Sequence, residues 1–443
     1  MNEHARLDLE RGTVRSVSSE ELQVPRKPPF SKISIIGLGY IGLPTAAMFA
    51  SRRIEVLGVD ISKHVVDRVN DGQIHIVEPD LDIVVGAAVT KGFLRASLVP
   101  EEAEAFLIAV PTPFKTDSHE PDLTFVLAAT EAIAPVLRAG NLVIIESTIP
   151  VGSTEAVAEK LAMARPDLTF PQSHGNESDI HIAHCPERVL PGKVMQELIL
   201  NDRLIGGMTS KSNELAIKLY RSFVVGECIT TDPRSAELAK LSENSFRDVN
   251  IGFANELSVI CDKLGVDVWE VIGLANRHPR VNILNPGPGV GGHCIAVDPW
   301  FIVASAPEES RIIRAAREVN ECKPDWVICK VLEMVQQFLK DSPNASENEI
   351  TLACYGLTFK PDIDDLRESP ALSIQKTLQE KFSGRLLAVE PNIEKLPEGF
   401  EQVELVSYSH ALINADVHVL LVGHRLFREA GLPAKYLVKS VEI

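Results

Sequence analysis

From Lys32 onward, short apolar runs alternate with longer stretches of helical spacing. Ile33-Ser34-Ile35-Ile36 has strand character and leads through glycines into a helical pattern containing Ala46, Ala47 and Phe49. Glu55–Val59 reads as a second strand ending at Asp60. Ala105–Val110 and Leu142–Glu146 read as further strands, with helical patterns such as Thr124–Leu137 between them. Strands alternating with helices predict βαβ units and a parallel sheet. Near Ser235 the pattern changes. AELAKLSENSFRDVNIGFANELSVICDKLG carries apolar residues at three- and four-residue spacing, has no Pro, and has Gly252 as its one internal glycine, which predicts one long helix. A glycine-rich loop follows at Asn285–Gly292, and helix resumes over Arg311–Leu339. Lys340–Asn348 has linker composition, after which Ile350–Gly356, Leu386–Val389 and Val417–Val422 read as buried strands. The expected architecture is α/β, helical, α/β: a leader over 1–30, then domains over 31–220, 221–340 and 341–443. The two α/β ends are expected to be loosely similar in fold.

The chain has 443 residues, 45% of them hydrophobic, and a formal net charge of −17. At roughly 100–200 residues per domain, two to four domains are expected. The acidic balance argues against non-specific nucleic-acid binding and against docking on an anionic membrane, both of which need basic patches. Cys185, Cys228, Cys261, Cys294, Cys322, Cys329 and Cys354 are scattered, odd in number and form no CxxC pair. This predicts reduced cytoplasmic thiols and no zinc or other metal site. Met1–Phe30 is polar and charged and reads as a disordered tail, not a signal peptide. No stretch approaches the roughly 20 apolar residues that span a bilayer.

Gly37-Leu38-Gly39-Tyr40-Ile41-Gly42 is GxGxxG placed directly between a strand and a helix. Such glycines permit a tight turn and close backbone approach to a pyrophosphate, which the helix N-terminus then favours. Asp60 ends the second strand, where an acid bonds a ribose 2′-hydroxyl and repels a 2′-phosphate, so NAD is favoured over NADP. Val110-Pro111-Thr112-Pro113 and Ser147-Thr148-Ile149-Pro150 each follow a strand. Loops in that position form the ligand crevice, making Thr112 and Thr148 candidate cofactor contacts, with simple helix capping as the alternative.

Gly287-Pro288-Gly289-Val290-Gly291-Gly292-His293-Cys294 sets a thiol after a glycine-dense loop. A helix beginning near Cys294 would favour the thiolate, and one helical turn would bring Asp298 close to it. A small core residue is the alternative reading for Cys294. Lys240 and Asn244 are spaced i, i+4 on the long helix, and Arg247 continues that face. A cation and an amide donor suit a developing oxyanion; the alternative is a solvated helix face. Glu187, in Cys185-Pro186-Glu187-Arg188, is by itself a loop carboxylate.

Taken in order, IIGLGYIGLPTA, VPTP, ESTIPVGST, CPERVLPG, AELAKLSENSFRDVNIGFANE, GVGGHCIAVDPWF and GLTFKPDIDDLRESP make residues 32–443 resemble the UDP-glucose/GDP-mannose dehydrogenase family. The resemblance implies a Rossmann-like NAD domain, a central helical dimerisation region and a C-terminal Rossmann-like nucleotide-sugar domain. It implies oxidation of a sugar C6 alcohol to the acid with two NAD. By motif position, Cys294 is the implied nucleophile and Lys240 and Asn244 the oxyanion donors. Asp298, Glu187 and Thr148 would position water or the proton acceptor. The implied cofactor contacts are Thr112 and Arg367, and the implied substrate contacts are Arg188, Val189, Arg247, Gly291, Phe359 and Lys360. Arg280 with His278 would reach a sugar nucleotide across a homodimer interface. The family's glucose-oxidising members commonly carry a second Glu where Pro191 stands and a Lys where Val297 stands. The string GGHCIAVDPWF with PERVLPG is similar instead to the branch acting on UDP-N-acetylhexosamines. UDP-N-acetylmannosamine is the expected substrate and UDP-N-acetylglucosamine the alternative. The family closes with a strand and a short glycine-containing tail; KYLVKSVEI here implies an altered last strand.

Two rivals are a two-electron hydroxyacid dehydrogenase, which releases one NADH and needs no thiol, and a non-catalytic NAD sensor, which tolerates loss of Cys294.

Overall fold

The structure is a computed structural model that describes residues 30–115, 118–190, 192–292 and 294–442. The expected leader lies outside the described residues except for Phe30, which is buried in the first core. The chain forms two compact units. One runs through Pro113 and resumes from Asp122 to Lys240; the other contains Phe114–Pro121 and everything from Leu241 onward. By compactness, the central helices and the C-terminal α/β part form one unit.

In the first unit, β1 (Lys32–Ile36), β2 (Glu55–Val59), β3 (Leu94–Ser97), β4 (Ala105–Ile108), β5 (Leu142–Ile145), β6 (His181–His184), β7 (Arg203–Gly207) and β8 (Cys228–Thr231) make a sheet ordered β3-β2-β1-β4-β5-β6-β7-β8. Every neighbouring pair is parallel except β6 and β7. Because side chains alternate, Ile33, Ile35 and Val56 enter one core while Ile36, Leu57 and Val59 enter another. Both faces are thus covered, as a parallel sheet requires. Each fully buried Ile or Leu contributes about 1.5–3 kcal/mol.

The long helix predicted from periodicity spans Pro233–Leu264 and carries the chain from the first unit into the second. Gly265, at φ +69°, ends it, and Asp267 caps the next helix, Val268–Ala275, by accepting from the N–H groups of Trp269 and Glu270. Helices Asp298–Ser305 and Arg311–Asp341 follow. In the same unit, the ring of Phe114 meets Phe301 edge-on, and His119 stacks on Trp300 with ring centroids 4.1 Å apart.

The second sheet contains β9 (Thr351–Tyr355), β10 (Arg385–Val389), β11 (Val403–Leu405), β12 (Val417–Leu420) and β13 (Leu437–Lys439), ordered β11-β10-β9-β12-β13 and parallel throughout. This is the order of β3-β2-β1-β4-β5. The last strand, expected to be altered, pairs normally with β12, and the Ser440 hydroxyl donates to the Leu420 carbonyl at 2.7 Å. Among the described residues no helix is long and apolar enough to cross a membrane.

Candidate active site

The strand order of the first sheet reverses between β1 and β4, where loops at the carboxyl ends of parallel strands leave a crevice. Gly37 sits there at φ +93°, and a Cβ on it would lie 2.5 Å from the Ala109 carbonyl oxygen. At Gly42 a Cβ would lie 1.8 Å from the Gly37 carbonyl oxygen, so only glycine lets the helix start so close to the turn. At Gly39 a Cβ would meet nothing within 4 Å. The Asp60 carboxylate accepts from the N–H groups of Leu38 at 3.0 Å and Ser62 at 2.9 Å, which fixes it at the end of β2. Tyr40 is exposed and Ile41 half-buried, and helix Gly42–Ser51 has no side-chain cap. Open space over Gly39, an uncapped helix N-terminus and a fixed acid together fit the pyrophosphate and ribose of a dinucleotide.

The threonine loops of the same sheet touch. The Thr112 hydroxyl donates to the Thr148 carbonyl at 2.7 Å, and the Ser147 hydroxyl to the Val110 carbonyl at 2.7 Å. Glu237, buried in the first turns of the long helix, accepts from the N–H groups of Gly152 (2.7 Å) and Thr154 (2.8 Å) and from the Thr154 hydroxyl (2.6 Å). It thereby ties the Thr148 loop to the helix carrying half-buried Lys240.

Glu187 is buried, not a solvated loop carboxylate. It accepts from Arg203 at 2.8 Å and from the Arg188 N–H at 2.6 Å. Arg203 also faces Glu146 at 3.4 Å and lies 4.4 Å over the Tyr220 ring, whose hydroxyl donates to Glu146 at 2.6 Å. Burial pushes the Glu146 carboxyl up to about 7, with Arg203 working against it. The Arg203 guanidinium, shared with buried Glu146, holds Glu187 in place. Arg188 and Val189 are half-buried, and Arg188 donates to the Asp202 carbonyl at 3.2 Å. Burial pushes the nearby His184 imidazole down to about 3, so it is neutral.

In the second unit, Cys294 is exposed. The helix after it begins later than expected, at Asp298; Cys294 lies in the preceding turn, its carbonyl accepting from the N–H groups of Val297 (3.1 Å) and Asp298 (2.8 Å). That turn brings the Asp298 backbone back to the Cys294 backbone. The Asp298 side chain is buried and accepts from the Asn244 amide at 2.6 Å. The glycine loop is moored to helices by asparagines. Asn255 accepts from the Gly287 N–H at 2.8 Å and Asn250 from the Leu284 N–H at 2.9 Å, while Asn276 bonds both the N–H and the carbonyl of Ile283. A Cβ at Gly291 would meet the Glu368 carbonyl oxygen at 2.3 Å, and one at Gly292 the Phe359 ring at 2.9 Å. The second unit therefore gathers Cys294, Asp298, Asn244, Gly291 and Phe359, with half-buried Lys360 next in the chain. Arg247, His278 and Arg280 are exposed, and exposed Arg367 forms a fork-like pair with Asp365 at 2.6 Å.

Three consecutive stretches match domains of one family: its NAD binding domain over residues 31–224, its central domain over 234–322 and its UDP binding domain over 353–440. The chain belongs to the UDP-glucose/GDP-mannose dehydrogenase family. It is similar to UDP-N-acetyl-D-mannosamine dehydrogenase of Escherichia coli, with 61% identity over 400 residues, 90% of this chain and 95% of that protein. It is also similar to NDP-N-acetyl-D-galactosaminuronic acid dehydrogenase of Ralstonia nicotianae, with 59% identity over 400 residues, 90% of this chain and 92% of that one. Among solved structures, UDP-D-ManNAc dehydrogenase from Pyrococcus horikoshii superposes with a TM-score of 0.80 at 36% identity, covering 93% and 95% of the two chains. Membership makes this an NAD-dependent nucleotide-sugar dehydrogenase with Rossmann-like domains at both ends.

Glu237, Arg203 and the three asparagines were not singled out by sequence reasoning. AELAKLSENSF and SFRDVNIGFANE contain Glu237, Asn250 and Asn255, so their motifs were visible while their roles were not.

Proposed function

We propose that the chain oxidises the C6 alcohol of UDP-N-acetyl-D-mannosamine to the carboxylate, with two NAD as hydride acceptors and a thioester on Cys294. The observation that carries this reading is an exposed Cys294 one turn before Asp298, whose buried carboxylate is bonded to Asn244, with the glycine loop just before the cysteine packed on Phe359. In the first stage C6 gives up a hydride, and the hydroxyl proton passes to water held by Thr148, Glu187 and Asp298. The Cys294 thiolate then adds to the aldehyde carbon, and the new oxyanion takes a proton while Lys240 and Asn244 stabilise it. Loss of a second hydride, to the second NAD, together with the hydroxyl proton, which returns to the held water, leaves the thioester. Water adds to it, the C–S bond breaks, and carboxylate and thiol are released. Gly37, Gly39, Tyr40, Ile41, Gly42, Asp60, Thr112, Thr148 and Arg367 serve the cofactor. Arg188, Val189, Arg247, Gly291, Phe359 and Lys360 serve the nucleotide sugar.

The working assembly is proposed to be a cytoplasmic homodimer. Phe246, Phe253 and Ile260 recur every seven residues on the long helix and are 70%, 54% and 45% exposed, forming an apolar seam suited to a second copy. His278 and Arg280 would then reach the partner's substrate.

The Ralstonia relative supports a second reading, a sugar of the N-acetyl-D-galactosamine series. Purified protein given NAD and a panel of UDP-N-acetylmannosamine, UDP-N-acetylglucosamine, UDP-N-acetylgalactosamine and UDP-glucose decides. The highest kcat/KM is expected for the mannosamine sugar, with two NADH per acid. One NADH per sugar, or a preference for another sugar, rejects the reading.

A further inference from the structure

The loop after β9 repeats the loop after β1 bond for bond. The N–H of Gly37 donates to the Val59 carbonyl at 2.8 Å, and that of Gly356 to the Val389 carbonyl at 2.9 Å. Both glycines have left-handed backbone, at φ +93° and +85°. Leu38 donates its N–H to Asp60 at 3.0 Å, and Leu357 to Glu390 at 2.7 Å. Two residues past each acid, Ser62 and Asn392 return an N–H to its second oxygen, at 2.9 and 3.0 Å.

The copies part at the acid. Asp60 remains half-buried, whereas the Glu390 side chain is fully buried and takes three more donors. These are the Thr358 N–H at 3.3 Å, the Asn392 side-chain amide at 3.0 Å and the His424 Nε2 at 2.9 Å. The neighbours of His424 fix its tautomer. Its Nδ1 faces the Asp362 N–H at 2.9 Å and the Asn392 amide at 3.2 Å, both donors, so Nδ1 accepts and Nε2 carries the proton toward Glu390. Five donors saturate a carboxylate with about four lone-pair sites, leaving none for a ribose hydroxyl. Meanwhile His424 holds Asp362, a non-glycine residue at φ +60°, whose carboxylate also accepts from the Arg425 N–H at 2.9 Å. Thr358 and Asp362 are the two ends of the turn that carries Phe359 and Lys360.

The geometry points to Glu390 and His424 as positioning residues for nucleotide binding: the acid that reads a ribose in the first copy of this turn has become, in the second, an internal clamp holding the Phe359–Lys360 turn against the Cys294 loop. This rests on the reading that Phe359 and Lys360 contact the UDP-sugar. The clamp touches neither substrate nor NAD, so its loss acts on one ligand and not the other.

The test compares full-length wild type with E390Q and H424Q. UDP and NAD are each titrated by calorimetry, and kcat and both KM values are measured with the preferred UDP-sugar. Each variant is expected to weaken UDP binding and raise the sugar KM roughly tenfold or more, the scale of one buried hydrogen bond to a charged group. NAD affinity and kcat should stay near wild type. E390Q is nearly isosteric and decides the matter if H424Q does not accumulate as folded protein. Unchanged UDP affinity, or equal losses for UDP and NAD, overturns the clamp. A wild type that binds UDP but oxidises no UDP-sugar removes the proposed reaction and leaves the clamp standing; one that fails to bind UDP removes both.

Discussion

Asn244 donates a hydrogen bond of 2.6 Å to the carboxylate of Asp298, joining the long helix to the first turn of the helix that follows Cys294. Both side chains are buried, so neither can trade this bond for water. The proposed oxyanion donor is therefore held in one orientation before any substrate arrives. Asn244→Ala should lower kcat by about 10²–10³, the cost of losing one such donor. Asn244→Asp should be at least as damaging, because two buried carboxylates would face each other. A kcat within threefold of wild type in Asn244→Ala would show that the amide only supports Asp298.

Cys294→Ala should yield no carboxylate while NAD still binds with wild-type affinity. The product analysis is by mass spectrometry of the sugar nucleotide and the binding by cofactor fluorescence. Acid formation by this variant would exclude the thioester route.

Gly291→Ala places a methyl group 2.3 Å from the Glu368 carbonyl oxygen and 2.9 Å from the Phe359 Cβ. Backbone cannot swing aside as a side-chain tip can, so a loss of about 1–3 kcal/mol is expected. A lowered melting temperature with a raised UDP-sugar KM would register it; a melting temperature equal to wild type would mean the loop has slack.

Asp60 has a half-buried carboxylate pinned by two backbone N–H groups. Asp60→Asn should raise the KM for NAD and shrink the preference for NAD over NADP, because the repulsion of a 2′-phosphate is removed. Comparing kcat/KM for the two cofactors checks this; an unaltered ratio places the ribose elsewhere.

Phe246→Glu with Phe253→Glu should convert the proposed dimer to monomer in light scattering coupled to gel filtration. A wild type already monomeric at micromolar concentration would dismiss the apolar seam as an interface.

The Gly37–Gly42 turn and Asp60 were legible because all their determinants lie within one βαβ unit. The helix Pro233–Leu264 was legible from spacing alone, and its end at Gly265 from the glycine. Less accessible was the start of the helix after Cys294, since GGHCIAVDPW contains no capping residue before Asp298 and its turn residues mimic a helical run. The moorings escaped notice for a different reason. Asn255 and Gly287, or Glu390 and His424, are partners across more than thirty residues, and no local pattern records such a pairing. The same holds for Glu187, whose burial depends on Arg203 arriving from the next strand.

The segment Phe114–Pro121 departs from one unit, docks its rings on Trp300 and Phe301, and returns. The polypeptide consequently passes between the units three times. Expressing the N-terminal portion as a stand-alone fragment would leave a strap of aromatic side chains with no surface to rest on. Replacing that strap with a short Gly-Ser connection is the first step for anyone wishing to isolate the cofactor half.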